Sequence, residues 1–213
     1  GPEISVATTK AYSAQLAAMY CLAVQFAKVR GKITDEQYSY YISELQTIPE
    51  KIQKTLEDKE RIQWFAAKYA NAHDVFFVGR GIDYAVCLEG SLKLKEISYI
   101  HSEAYAAGEL KHGTLSLIER GTILAALATD PLYHAKTAGN IAEVRARGGY
   151  TVLFCTPDFE NASDTADTVF TLPPELACIS AVTAVQLIAL RTAQLRGCDV
   201  DHPRNLAKSV TVE

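Results

Sequence analysis

The sequence predicts an α/β fold, a three-layer αβα sandwich around a mainly parallel sheet, preceded by long helices. After residue 74, four short apolar runs rich in β-branched and aromatic residues alternate with stretches of helical pattern. Short apolar runs of this kind are typical of parallel strands buried on both faces. Strands that alternate with helices pair in parallel through right-handed crossovers, which place helices on both faces of the sheet.

Three amphipathic stretches precede the sheet. Gly31 ends the first, as glycine commonly does after a helix. Thr34 with Gln37 three residues later is a capping-box pattern that begins the second, and Pro49 precedes the third. We place these helices roughly at residues 6 to 30, 34 to 46 and 50 to 70.

The alternating part of the chain ends in a short tail. Its strands are predicted at residues 74 to 79, 122 to 128, 150 to 155 and 168 to 172, and its helices near 82 to 98, 131 to 147 and 178 to 196. The polar segment 101 to 113 holds two glycines and is not a plain crossover helix, so residues 102 to 117 are expected to supply another short strand and a short helix. The tail after Gly197 has no long period, and such tails are normally frayed.

Composition bounds the class of protein. The chain has 213 residues, of which 48% are hydrophobic, enough for a substantial core. Its five cysteines show no C-x-x-C or Cys/His metal spacing, which predicts reduced thiols and a cytoplasmic location. No apolar run reaches ~18 residues without a charge, and no signal peptide is visible. With 21 basic against 25 acidic residues, neither nucleic acid nor a membrane is an expected partner.

The stretch E-G-S-L-K-L-K-E, residues 89 to 96, places charges in an apolar helix. At 100° per residue, Glu89, Lys93 and Glu96 share one face, and a helix that is apolar over most of its circumference is usually buried. Two interpretations remain open at this point. The charges form a solvated ladder of ion pairs, or they form a general base beside an ammonium in a cleft.

Loops that could hold an anion give weak signals. G-R-G at 79 to 81 joins a strand to a helix, where backbone amides can meet a phosphate, but a tight turn explains it equally well. T-D-P-L-Y after the next predicted strand is unsuitable because Asp130 would repel a phosphate and Pro131 lacks an amide hydrogen. N-A-S-D-T-A-D-T at 161 to 168 fits a solvated loop better.

Single residues taken alone carry little more. His112 lies in the polar segment, where an imidazole could move a proton, although a structural histidine fits the same position. The other four histidines are scattered and do not suggest a metal site. Lys208, near the end of the chain, is in isolation a surface lysine.

Four segments together resemble the C-terminal part of the glucosamine-6-phosphate synthase family, and the resemblance covers essentially the whole chain. The segments are V-A-T-T-K-A-Y (6 to 12), E-G-S-L-K-L-K-E-I-S-Y-I-H-S-E-A-Y-A-A-G-E-L-K-H-G (89 to 113), E-V-R-A-R-G-G (143 to 149) and D-V-D-H-P-R-N-L-A-K-S-V-T-V-E (199 to 213). The resemblance implies the isomerase module, built from two sugar isomerase (SIS) subdomains, of an enzyme that makes glucosamine 6-phosphate. Its substrates are fructose 6-phosphate and ammonia released by a glutaminase domain.

The resemblance also implies roles for particular residues. Lys208 is the amine that forms an imine with the open-chain ketose, and Glu96 carries a proton between C1 and C2. Lys93 lies beside that base, and His112 assists ring opening in a site built across a homodimer. The backbones of Val6 and Ala207 meet the sugar. No cofactor is implied, and the route needs no pyridoxal phosphate. Because a lysine must lose its proton to form an imine, we expect a desolvated or cationic setting around Lys208.

The chain departs from the family at its start. The family's Ser/Thr-rich phosphate loop, of the type S-x-S-G-x-T, and its glutaminase domain do not occur in the sequence. We therefore interpret residues 1 to 70 as the end of the first SIS subdomain with a linker, residues 71 to 196 as the second subdomain, and residues 197 to 213 as a catalytic tail. Alone, such a fragment is expected to be inactive or nearly so.

Two alternatives remain. The isolated chain could act as a dimerisation and scaffold module that associates through surfaces facing the missing subdomain. A deglycase of fructosamine phosphates is a related enzyme, but the C-terminal tail favours the synthase.

Overall fold

Five parallel strands form one sheet in the order β2-β1-β3-β4-β5. The computed structural model describes residues 2 to 209, with the side chain of Tyr69 excepted. The strands are β1 Asp74–Gly79, β2 His101–Ala106, β3 Ile123–Ala128, β4 Tyr150–Cys155 and β5 Thr168–Thr171. All four ladders between neighbours are parallel. The predicted α/β class and parallel sheet are therefore confirmed, and β2 is the additional strand expected between residues 102 and 117.

Helices cover both faces of this sheet. The four that precede it are α1 Lys10–Val29, α2 Asp35–Gln46, α3 Ile48–Glu57 and α4 Lys59–Tyr69. The later ones are α5 Ile82–Ser98, α6 His134–Arg145, the short α7 Ala162–Thr165 and α8 Ala177–Leu195. Three 3₁₀ turns, at Ala107–His112, Thr114–Leu117 and Pro131–Tyr133, complete the described elements.

Two of the predicted helices have different limits in the structure. The first begins at Lys10 rather than near residue 6, because Val6 donates its backbone N–H to the Asp201 carbonyl at 3.0 Å and lies in a bend beside the tail. The predicted helix from 50 to 70 is two helices, which meet at Asp58, where a ψ of 19° does not continue the helix. The capping box at Thr34 and Gln37 is present with both of its hydrogen bonds, so that prediction is confirmed.

The core has one layer on each face of the sheet. One layer joins α4, α5 and α8 to residues such as Phe77, Leu127 and Phe154 of the sheet. The other joins α6 and the turn Ala107–His112 to the opposite sides of the same strands. Residues of α4 lie in the first layer, but the predicted domain boundary after residue 70 stays a prediction.

Helix α8 is the most deeply buried helix of the first layer. Within residues 2 to 209 it is the one helix whose length and composition would allow it to cross a membrane, and 67% of its apolar window is buried inside the protein. Gly90 allows α5 to approach α8, because a Cβ at this position would lie 3.2 Å from Val185 Cβ. This close packing of α5 against α8 sets the position of the charged face of α5.

Candidate active site

Lys93 of α5 is a buried ammonium between two carboxylates. Its Nζ donates to Glu96 Oε2 at 2.6 Å and lies 3.7 Å from Glu89 Oε1. The side chains of Lys93 and Glu89 are 4% and 7% exposed, whereas that of Glu96 is 21% exposed. Both ion pairs of the predicted ladder are present. Their burial exceeds that of a solvated ladder, and Glu96 is the member that solvent reaches most easily.

Burial has a direct effect on Glu89. Loss of hydration raises the pKa of its carboxyl, and the charge of Lys93 and a hydrogen bond from Gln186 only partly oppose this. Gln186 of α8 donates Nε2 to Glu89 Oε1 at 3.3 Å and to the Thr9 carbonyl at 3.4 Å. The amide therefore links the charged face of α5 to the segment that precedes α1.

A cleft of about 300 Å³ lies beside this cluster. Its walls come from five parts of the chain: residues 5 to 9, α3, α5, α8 and the start of the tail. Lys93 and Gln186 line it, together with Ser5 and Asp201. The cleft is the place where the charged face of α5 meets both ends of the described chain.

The two ends of the chain meet through backbone groups. Besides the bond from Val6 to Asp201, Ser5 Oγ donates to the Val200 carbonyl at 3.3 Å. Lys208 Nζ donates to the Ser5 carbonyl at 2.9 Å, which brings this lysine to the edge of the cleft. Of the predicted site residues, the structure thus brings Val6, Lys93, Glu96 and Lys208 to one region.

The setting of Lys208 differs from the one expected for an imine-forming amine. Lys208 and its neighbour Ala207 are both exposed to solvent. Burial raises the pKa of the Glu3 carboxyl, but hydrogen bonds from Thr9 and, to a smaller extent, the charge of Lys208 together lower it below its ordinary value. Residues 210 to 213, the end of the predicted catalytic tail, lie outside the described residues.

His112 lies apart from this cluster. It ends the turn Ala107–His112 and is exposed. Ala107 and Leu110 of the same turn pack with α6 on the other face of the sheet. Within one chain, the structure does not bring His112 to the cleft that Lys93 lines.

The loops at the carboxyl ends of β1 and β3 are occupied by internal contacts. Asp83, 1% exposed, accepts hydrogen bonds from Thr129 N at 2.8 Å and from Thr129 Oγ1 at 2.6 Å. Burial raises the pKa of Asp83, and these bonds oppose the rise. Arg80 of the G-R-G loop donates to Asn140 Oδ1 at 2.9 Å. At the loop after β3, the backbone amide of Thr129 therefore already donates to the Asp83 carboxylate. This is the loop that the sequence analysis considered unsuitable for a phosphate.

Sequence reasoning did not identify Gln186 or Asp83. The signal for Gln186 was a single amide in an otherwise apolar stretch of α8, and that for Asp83 was a carboxylate two residues after G-R-G. Their partners, 97 and 46 residues away along the chain, could not be inferred from local pattern. Across residues 2 to 209, no group of three or more His, Cys, Asp or Glu side chains is placed to hold a metal ion.

A five-stranded parallel sheet between helical layers, with a charged cleft beside one helix layer, defines a domain of the α/β sandwich class. The family model described as the SIS domain matches residues 68–195, and the chain belongs to this family. All of the chain aligns with glutamine--fructose-6-phosphate aminotransferase [isomerizing] from Caldanaerobacter subterraneus subsp. tengcongensis, at 53% identity, and with that of Thermus thermophilus, at 47%. The chain spans 36% of the length of each.

Solved structures agree with this assignment. The C-terminal domain of glucosamine-fructose-6-phosphate aminotransferase from Francisella tularensis superposes with a TM-score of 0.87 at 35% identity, over 95% of this chain and 58% of that one. Glucosamine-6-phosphate deaminase from Thermotoga maritima shares the fold, with a TM-score of 0.70 at 23% identity over 100% of this chain and 60% of that one. The resemblance stated from the sequence motifs is therefore confirmed.

Proposed function

We propose that this chain is the sugar isomerase part of an enzyme that converts fructose 6-phosphate and ammonia into glucosamine 6-phosphate. One observation supports this most directly: the pair of buried Lys93 with partly exposed Glu96 lies on a helix that lines a cleft, and the tail brings Lys208 to the edge of the same cleft. A carboxylate beside an ammonium and a separate primary amine are the groups that ketose isomerisation through an imine requires. The relatives' names contain the same sugar phosphate, fructose 6-phosphate.

The reaction begins at Lys208. Its amine, once deprotonated, attacks C2 of the open-chain ketose, and loss of water leaves a protonated imine. Because the nitrogen of the product comes from ammonia, ammonia must then replace the lysine at C2 and release it unchanged. The imine withdraws electrons from the neighbouring C–H bond, which allows a carboxylate to remove a proton that a free ketone would hold.

Glu96 moves that proton. Its carboxylate removes a proton from C1 and returns it to C2. The O1 hydroxyl releases its proton to solvent as the C1–O1 double bond forms, so the protonated C2 imine becomes an amine and C1 becomes an aldehyde. Lys93 stabilises the ionised carboxylate at 2.6 Å, and the partial exposure of Glu96 keeps it accessible to a sugar. Glu89 Oε1 lies farther from the Lys93 ammonium, at 3.7 Å, so Glu96 is the nearer of the two carboxyl groups.

Further parts of the proposal concern the assembly. His112, on the other side of the sheet, would assist ring opening in the site of a second copy of the chain in a homodimer. A glutaminase domain would supply ammonia, and a first SIS subdomain would hold the substrate phosphate. A cytoplasmic location fits the unpaired cysteines.

A second candidate function, self-association as a scaffold, is favoured by the outer face of α1. Met19, Leu22, Phe26 and Val29 recur at helical spacing and are each 49% or more exposed. Sedimentation of the 213-residue chain over a range of concentrations, without sugar, tests this function. A constant monomer mass over the range would exclude it.

Titration with fructose 6-phosphate followed by borohydride reduction tests the main proposal. We expect the 213-residue chain alone to bind weakly, because no motif of the type S-x-S-G-x-T occurs in its sequence; sub-millimolar binding would contradict this. A chimera that carries this chain in place of the matching 216 residues of the Caldanaerobacter enzyme supplies the remaining parts. In the chimera we expect a reduced sugar adduct at Lys208.

Two substitutions in the chimera separate the roles. Glu96→Gln should keep the adduct at Lys208 but slow exchange of the C1 proton with solvent deuterium by ~10²–10⁴-fold, the usual contribution of a general base. Lys95→Gln, an exposed change one position away, is the matched control and should leave both unchanged. An adduct on another lysine, or normal proton exchange in Glu96→Gln, would refute the assigned roles.

A further inference from the structure

We infer that Tyr99 and Arg204 form a clasp that positions the C-terminal tail, and with it Lys208, at the cleft. The inference rests on the role proposed for Lys208. Tyr99 is the residue directly after α5, the helix that carries Lys93 and Glu96. A contact between Tyr99 and the tail therefore connects the two parts of the proposed site.

The backbone of Tyr99 is unusual for its residue type. With φ 61° and ψ 19°, it ends α5 in the left-handed conformation. Glycine is the usual residue at such a position, since a side chain there is strained. Backbone strain of this kind clusters at functional sites and persists where surrounding contacts hold the residue in place.

The Tyr99 side chain makes two contacts with one tail residue. Its hydroxyl accepts a hydrogen bond from the backbone N–H of Arg204 at 2.8 Å. The Arg204 guanidinium carbon lies 4.1 Å from the centre of the Tyr99 ring, a distance at which a cation is attracted to the ring face. These contacts hold both the backbone and the side chain of Arg204, 105 residues along the chain from Tyr99.

The clasp shortens the free part of the tail. Lys208 follows Arg204 by four residues, which span at most ~14 Å when fully extended. Without the clasp, the preceding backbone anchor is Asp201, bonded to Val6, and the seven residues from there to Lys208 span ~25 Å. Because effective concentration falls with about the −3/2 power of tether length, the longer tether alone would dilute the lysine amine about twofold. Loss of the ring contact adds a similar factor.

Four substitutions test the clasp in the chimera described above. Tyr99→Phe removes the hydrogen bond and keeps the ring, Tyr99→Leu removes both contacts, and Arg204→Met removes the cation. In Tyr99→Leu and Arg204→Met, we expect the maximal rate of adduct formation at Lys208 to fall roughly two- to fivefold. The half-saturating concentration of fructose 6-phosphate should change little. Arg204→Lys keeps a cation and should recover part of the rate. Tyr41→Leu, an exposed tyrosine of α2, is the matched control and should have the normal rate.

Tyr99→Gly separates positioning from a merely structural role. Glycine removes the backbone strain, so the melting temperature should be unchanged or higher, whereas adduct formation should fall as in Tyr99→Leu. If Tyr99 serves only to end α5, glycine would leave the rate of adduct formation normal, and the inference would be wrong.

Hydrogen exchange in the 213-residue chain tests the clasp without any sugar. The Arg204 amide should exchange several-fold faster in Tyr99→Phe and Tyr99→Leu than in the wild type. Unchanged exchange would refute the clasp itself. If the wild-type chimera forms no Lys208 adduct while hydrogen exchange changes as expected, the proposed function is wrong but the clasp is present. If the adduct forms at the same rate in all variants, the clasp does not position Lys208.

Discussion

At the scale of single residues, the cluster on α5 combines three charges in a space that excludes most water. Removing two carboxylates and an ammonium from solvent is costly, and only close pairing offsets that cost. The pairing is unequal, since Lys93 is 2.6 Å from Glu96 and 3.7 Å from Glu89. Glu89 is thus the carboxylate for which the charged form is least well compensated, in agreement with its raised pKa.

Replacing Glu89 with glutamine should make stability less dependent on pH. Burial raises the pKa of Glu89 above its ordinary 4.5, so the folded protein keeps this proton at pH values at which the unfolded chain has lost it. The free energy of unfolding therefore falls as pH rises from the ordinary pKa of Glu89 through its raised pKa. Glutamine does not ionise, so Glu89→Gln should not lose stability in this way. In urea unfolding, the free energy of unfolding of the variant should therefore rise relative to that of the wild type from pH 4 to pH 7.

The control for this experiment is Glu57→Gln at the exposed end of α3. A surface change of this type usually alters the free energy of unfolding by less than ~0.5 kcal/mol. If the curves of Glu89→Gln and the wild type run parallel over this pH range, burial does not govern the ionisation of Glu89.

At the scale of elements, the position of α5 depends on close packing against the sheet and α8. A Cβ on Gly90 would lie 3.0 Å from Phe77 Cε1 and 3.2 Å from Val185 Cβ. Both neighbours are buried core residues with little room to move. Glycine at position 90 therefore lowers the helix propensity of α5, but it allows the close approach of α8 that brings Gln186 to Glu89.

Substitution of Gly90 by alanine should destabilise the protein by about 1–3 kcal/mol, the usual cost of overpacking a core. The gain in helix propensity, at most ~1 kcal/mol, would offset only part of it. Gly139→Ala in α6 is the matched control, because a Cβ there meets no atom within 4 Å. It should stabilise by about 0.5–1 kcal/mol, measured by thermal or urea unfolding. Equal effects of the two substitutions would contradict the packing argument.

At the scale of the whole molecule, the chain divides into a well-packed α/β body and a loosely attached helical pair. Neither α1 nor α2 contains a fully buried residue, whereas 14 residues of α8 are buried. Elements with few buried apolar contacts open at a lower free energy than the core does. The outer face of α1 is also the apolar surface on which the scaffold alternative depends.

Hydrogen exchange should reveal this division. Amides in the middle of α1 and α2 should exchange through local opening, faster than those of α5 and α8, which should require global unfolding. Denaturant should speed exchange in α8 steeply and in α1 only slightly. If all four helices exchange at one common free energy in dilute protein, the body and the pair unfold as a single unit, contrary to this view.

The sequence by itself determined the parts of the fold that depend on local pattern. Period and length identified the parallel strands, and a few side chains identified helix ends, such as the Thr34 and Gln37 capping box. The shared face of Glu89, Lys93 and Glu96 followed from helix geometry alone. These features could be predicted because the interactions responsible for them join residues a few positions apart. The family motifs, read directly from the sequence, predicted the remaining candidate site residues by resemblance.

Only the tertiary structure decided what joins distant parts of the chain. Lys208 meets Ser5 across 203 residues, Tyr99 meets Arg204 across 105, and Gln186 meets Glu89 across 97. The start of α1 moved to Lys10 for the same reason, since Val6 pairs with Asp201 instead of continuing the helix. His112 was placed away from the cleft by the turn after β2, which packs on the opposite layer. Such contacts depend on how the layers pack around the sheet, and no local propensity encodes that packing.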